Sequence, residues 1–245
     1  MALTDMLVYA DTSPACAERL DLACRLAHRF EAYMVAICPE EGTAVGERVA
    51  KMLRQENLDG EWELAVGLPA PYVTRRAQAV DLVILGQRTP DRATGLVAPE
   101  DVVLACGRPV LVAPSAGHRD RIGEVAVVAW NGSREAARAV QDALPLLAAS
   151  ASVTVLLVNP EEEAEIDAAD QLVAHLARHG LNASKRVVRQ DVLAVSDTIL
   201  AQIAALGADL LVMGAYGHSR LREMILGGVT RDVLRYMSVP VLMAH

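Results

Sequence analysis

Short apolar runs alternate with stretches of helical periodicity along the whole chain. In the second half, "VAVVAW" (125–130), "SVTVLLVN" (152–159), "DLLVMG" (209–214) and "VPVLMA" (239–244) are bounded runs of strand length. "ASKRVVR" (183–189) is a fifth run, more polar and expected to be more exposed. Between them, apolar residues recur at three- and four-residue spacing: Ala137, Val140, Leu144 and Leu147, then Ile166, Ala169, Val173 and Leu176, then Ile199, Ile203 and Leu206. Ser133 stands where it can cap the first of these helices, Pro145 is expected to kink it, and Gly180 can end the second. A fourth helix is expected over "VTRDVLRYM". The first half follows the same plan in "MLVYA", "YMVAIC", "EWELAV", "DLVILG" and "PVLVA".

The two halves also repeat in sequence pattern. Asp11 aligns with Asn131, Val80 with Ala208 and Arg108 with Val239, at offsets of 120, 128 and 131 residues. This predicts two copies of one domain, over residues 1–115 and 122–245, joined by the Pro-, Gly- and charge-containing segment "PSAGHRDRIG". Strands alternating with helices imply parallel sheets covered on both faces. The fold class is therefore α/β, with two tandem, doubly wound, five-stranded Rossmann-like domains of strand order 3-2-1-4-5. In that order the winding reverses between strands 1 and 4, and ligands bind at their C-terminal ends.

Composition narrows the function classes. The chain has 245 residues, 53% of them hydrophobic, and a formal net charge of −8. An acidic chain lacks the electrostatic grip that nucleic acid demands. No apolar run reaches the roughly 18 residues of a membrane span, and the N-terminus lacks a signal-peptide pattern, so a cytoplasmic protein is expected. Cys16, Cys24, Cys38 and Cys106 form no Cys-x-x-Cys pair.

The candidate chemistry lies in "MGAYGHSRLREMILGGVT" (213–230), which follows the fourth strand of the second copy. Gly214 and Gly217 permit tight turns and close approach of a ligand. Gly227 and Gly228 precede a helix, whose free N–H groups and dipole attract anions, and Thr230 adds a hydroxyl. His218, Arg220, Arg222 and Arg231 add positive charge. Neither a Walker P-loop nor the G-x-G-x-x-G dinucleotide fingerprint occurs. The first copy has no equivalent: after Gly86 comes "QRTPDRATGLVAPED", with a lone Gly95.

The spacing Gly214-x-x-Gly217-(nine residues)-Gly227 resembles the G-x-x-G-x9-G-[ST] signature of universal stress proteins, and the closing "PVLMA" strand is similar to theirs. The resemblance covers both copies and implies an ATP-type adenine nucleotide, with or without Mg2+, in the C-terminal domain. By position it implies a pocket formed by Ala129, Trp130, Asn131, Val158, Met213, Gly214, Gly217, His218, Gly227, Gly228, Val229 and Thr230. Asn131 replaces the family's usual Asp, and Gly228 replaces its usual Ser or Thr. The resemblance further implies a structural N-terminal domain that binds no nucleotide, pairing of the two domains through their last strands, and a homodimer. No catalytic residues or metal ligands are assigned. His175 and His179 are spaced i, i+4, but read as a solvated helix face. A regulatory binding module is the leading expectation. A nucleotide-independent scaffold and a slow ATPase or nucleotidyl transferase are the alternatives.

Overall fold

The computed structural model describes residues 3–39, 43–88, 97–116, 121–217 and 228–245. Two compact units divide the chain, Met1–His118 and Arg119–His245.

The N-terminal unit runs β1 (Asp5–Tyr9), α1 (Cys16–Phe30), β2 (Tyr33–Pro39), α2 (Thr43–Gln55), β3 (Gly60–Ala65), α3 (Pro69–Ala77), β4 (Leu82–Gly86), α4 (Pro99–Ala105) and β5 (Val110–Ala113). All of its pairings are parallel, in the order β3-β2-β1-β4-β5. The C-terminal unit repeats the plan with β6 (Val125–Ala129), α5 (Arg134–Leu147), β7 (Ser152–Val158), α6 (Glu163–Arg178), β8 (Ala183–Val188), α7 (Val195–Leu206), β9 (Leu210–Gly214), α8 (Gly228–Tyr236) and β10 (Val241–Ala244). Its order is β8-β7-β6-β9-β10, again all parallel. Both sheets are therefore doubly wound in the expected order, with the switch point between β1 and β4 in one unit and between β6 and β9 in the other.

The pattern of burial explains why these segments are strands. β1, β4, β9 and β10 are buried along nearly their whole length, as strands covered on both faces must be. β8 alternates exposed and half-buried residues, which fits its place as the last strand of its order. Ser133 caps α5 by accepting a hydrogen bond on Oγ from the Ala136 N–H at 3.1 Å. The buried face of α5 keeps Val140 and Leu147 of the expected stripe, but Ala137 is exposed and Leu144 half-buried; Glu135, Ala136, Ala139, Ala143 and Leu146 complete it. The reason is steric: the small residues face the sheet and let the helix axis come close to it.

An acidic residue pins the switch-point strands together in each unit. Asp81, just before β4, accepts hydrogen bonds from the main-chain N–H of Thr4 (2.8 Å) and Asp5 (3.1 Å) and from the Thr4 hydroxyl (2.9 Å). Asp209, just before β9, accepts from the N–H groups of Gly123, Glu124 and Val125 at 2.9, 3.1 and 3.2 Å. These carboxylates satisfy main-chain donors that precede or open strands β1 and β6.

Candidate functional site

The C-terminal ends of β6, β7 and β9 set the geometry of the candidate site. Ala129 pairs in register with Met213, and Val158 closes β7. Beyond β6 the chain passes Trp130 and Asn131, turns at Gly132 with φ of +70°, and enters α5. The Asn131 side chain organises that turn: its Oδ1 accepts from the Ser133 N–H (3.2 Å) and hydroxyl (2.8 Å). Trp130 Nε1 is buried and has no hydrogen-bond partner among the described residues. Beyond β9, Tyr216 adopts a left-handed conformation with φ of +57°, and its N–H lies 3.5 Å from the hydroxyl of Thr230, which is buried in α8. His218 and Gly227 lie outside the described residues.

Two of the glycines prove to serve packing. A Cβ at Gly214 would stand 2.5 Å from the main-chain nitrogen of Ala136 and 2.7 Å from the carbonyl carbon of Glu135. A Cβ at Gly217 would stand 2.9 Å from Glu135 Oε2 and 2.9 Å from Ser133 Oγ. The bare backbone at both positions is thus covered by the first turn of α5. Each glycine therefore has a packing role beside the ligand approach expected of it. Gly228 is different: among the described residues, nothing lies within 4 Å of the position a Cβ would take. It opens α8, followed by half-buried Val229 and buried Thr230.

Sequence reasoning missed Glu135. Its side chain is only 4% exposed. Oε1 accepts from Arg134 Nε at 2.5 Å. Burial alone would raise its pKa, but the bond and charge of Arg134, its own main-chain N–H and the nearby His245 outweigh that and hold the carboxyl below its ordinary range. His245 in turn places Nδ1 2.9 Å from the carbonyl oxygen of Ala215. No sequence signal marked Glu135, since an acidic residue in the first turn of a helix reads as a solvated, dipole-favoured one.

The N-terminal unit fills the corresponding place differently. Asp11 ends the strand where Asn131 does in the other unit, and its Oδ1 accepts from the Ser13 N–H at 2.8 Å. The same oxygen lies 3.0 Å from Nη2 of Arg19, a residue of α1. A Cβ at Gly86, the end of β4, would stand 2.0 Å from Arg19 Nη1. The guanidinium therefore reaches from the end of β1 to the end of β4. The repeat alignment puts Ala139 opposite Arg19, and an arginine on the apolar stripe of α1 with Cys16, Leu20 and Ala23 was the sequence signal for this plug.

With this geometry in place, comparison with known proteins decides the family. Residues 124–245 match the model of the universal stress protein family. The chain belongs to that family through its C-terminal half. The likeness of fold extends further. A universal stress protein from Archaeoglobus fulgidus DSM 4304 superimposes with a TM-score of 0.78 at 17% identity, covering 98% of this chain and 95% of the other. A functionally unknown protein, PA1789 from Pseudomonas aeruginosa PAO1, gives 0.70 at 17% identity over 99% and 92% of the two chains. At this identity both matches speak to the fold alone. Universal stress protein Slr1230 of Synechocystis is 59% identical over 34 residues, which is 14% of this chain and 12% of that protein. This universal stress protein domain is thus one of two units of the same topology. Among the described residues, no helix is long and apolar enough to cross a membrane.

Proposed function

We propose that the chain is a stress-response regulator whose C-terminal unit binds an adenine nucleotide of the ATP type, while its N-terminal unit is structural. Family membership supports the stress-response role. The observation that carries the nucleotide is the start of α8. No described residue stands where a side chain of Gly228 would, at a helix N-terminus that favours anions. Val229 and Thr230 follow in the same turn. At the same end of the sheet, Trp130 Nε1 is a buried donor without a partner among the described residues, which an acceptor on a base or sugar would satisfy. The ionised Glu135 nearby sets a condition on the ligand: polyphosphate has to arrive with its charge partly neutralised, as a Mg2+ complex would be. In the N-terminal unit, Arg19 reaches between Asp11 and Gly86, the counterparts of Asn131 and Gly214.

Calorimetric titration of Mg-ATP into refolded, nucleotide-free protein tests the reading. One site per chain is expected, with affinity lowered at least tenfold in Gly228→Val and Trp130→Phe. A second reading, a nucleotide-independent scaffold, is favoured by the cover that α5 lays over Gly214 and Gly217. Absence of binding heat at several temperatures would support it and refute the nucleotide.

A further inference from the structure

The crevice of the N-terminal unit holds a charged group from its own chain. Arg19 is 3% exposed and Asp11 is 5% exposed, so the ion pair they form is buried. Burying two charges costs more than most ion pairs return, unless further hydrogen bonds satisfy them. Here they do so only in part: Asp11 Oδ1 accepts from the Ser13 N–H, while Asp11 Oδ2 and Arg19 Nε are buried with no hydrogen-bond partner among the described residues. Apolar side chains of similar volume would fill the space at no loss of stability.

What distinguishes the place is its shape and charge. Gly86 presents bare main chain to the guanidinium at a distance no side chain permits, and Asp11 supplies the countercharge from the opposite strand end. A flat, delocalised cation matches those two walls better than a compact ammonium would.

We propose that this crevice is a guanidinium-binding site whose resident ligand is the chain's own Arg19. An intramolecular ligand acts at high effective concentration, so a free ligand competes poorly while Arg19 is present. The inference stands independently of whether the C-terminal unit binds nucleotide.

Removing the resident should create a receptor for the free cation. The test uses the full chain without nucleotide, with Trp130→Phe so that Trp62 alone reports thermal unfolding of the N-terminal unit. Arg19→Ala should melt lower than its parent. Methylguanidinium at low millimolar concentration should raise its Tm by several degrees, beyond the effect of equal methylammonium. The parent and the Asp11→Asn/Arg19→Ala double variant should gain nothing beyond that salt control. No gain for Arg19→Ala, or equal gain in all three, would overturn the proposal. If Arg19→Ala does not fold, urea unfolding of Asp11→Asn, Arg19→Met and their combination decides. The site requires coupling of at least about tenfold in the unfolding constant, and additive effects would overturn it.

Discussion

Substituting Gly214 by Ala should unseat α5 from the sheet without touching any exposed residue. The added Cβ would meet Ala136 N at 2.5 Å, Glu135 C at 2.7 Å and the Ala136 Cα at 3.0 Å, all main-chain atoms of one helical turn. Ordinary contact begins near 3.4 Å, so the helix has to retreat by about 0.9 Å at its first turn. Neither wall can yield by a rotamer change. Gly214 is in register with Ala244 at the end of β9, and the turn is fixed by the Ser133 cap. Overpacking of this kind costs about 1–3 kcal/mol. With a denaturant slope of about 1–3 kcal/mol per molar urea, the midpoint of the C-terminal unit should fall by roughly 1 M. In a Trp62→Phe background, Trp130 alone reports that transition, which separates it from the N-terminal unit. An unchanged midpoint and slope would mean that α5 does not rest on Gly214, and the packing account of this glycine would fail.

The other predictions concern single contacts. Gly228→Ala should leave the unit as stable or gain about 0.5–1 kcal/mol, because the Cβ enters open space and alanine favours helix; a loss in urea unfolding would contradict the open site. Asp11→Asn should destabilise the N-terminal unit by about 3–5 kcal/mol, since it strands the buried Arg19 charge. Burial pushes the Asp11 carboxyl up, but Arg19 and the Ser13 N–H outweigh it and leave it below the ordinary carboxylate value. Its contribution is therefore complete above about pH 4 and lost as pH falls through the lowered value, and Asp11→Asn should flatten that part of the stability profile. All four cysteines are buried, with burial pushing Cys24 and Cys38 up to about 11, so the native protein should react with a thiol reagent only at the rate of unfolding.

The architecture was legible because its signals are local and repeated. Runs such as "DLVILG" and "DLLVMG" carry the buried-strand pattern on their own, and the repeat fixes their order twice. The Ser133 cap could also be read from a single position. What the sequence hid depends on the third dimension. In α5 the spacing of Val140 and Leu147 marks buried positions, but Ala137 and Leu144 do not join them, because a helix with alanines on several sides gives no sharp choice of face. The packing role of Gly214 and Gly217 shows only once the first turn of α5 is seen lying on them. Arg19 and Glu135 belong by type to the solvent, and only the sheet's closing around them makes them buried charges. The nucleotide assignment rests on spacing and resemblance, with Gly228, Thr230 and Trp130 as the described residues whose surroundings support it.

The acidic clasps carry a consequence for synthesis. β1 is made first, yet it lies at the centre of its sheet, and its partner Asp81 follows Thr4 by 77 residues. At about 5–20 residues per second, the leading strand waits roughly 4–15 s for the carboxylate that secures it. Until then its apolar residues have only β2 and α1 for cover, and those are the contacts of short sequence separation. β6 repeats the delay, with Asp209 following Gly123 by 86 residues. Each unit is therefore most exposed to misassociation while the ribosome works between its first and fourth strands. A chaperone acting on the nascent chain has two separate intervals in which to serve it.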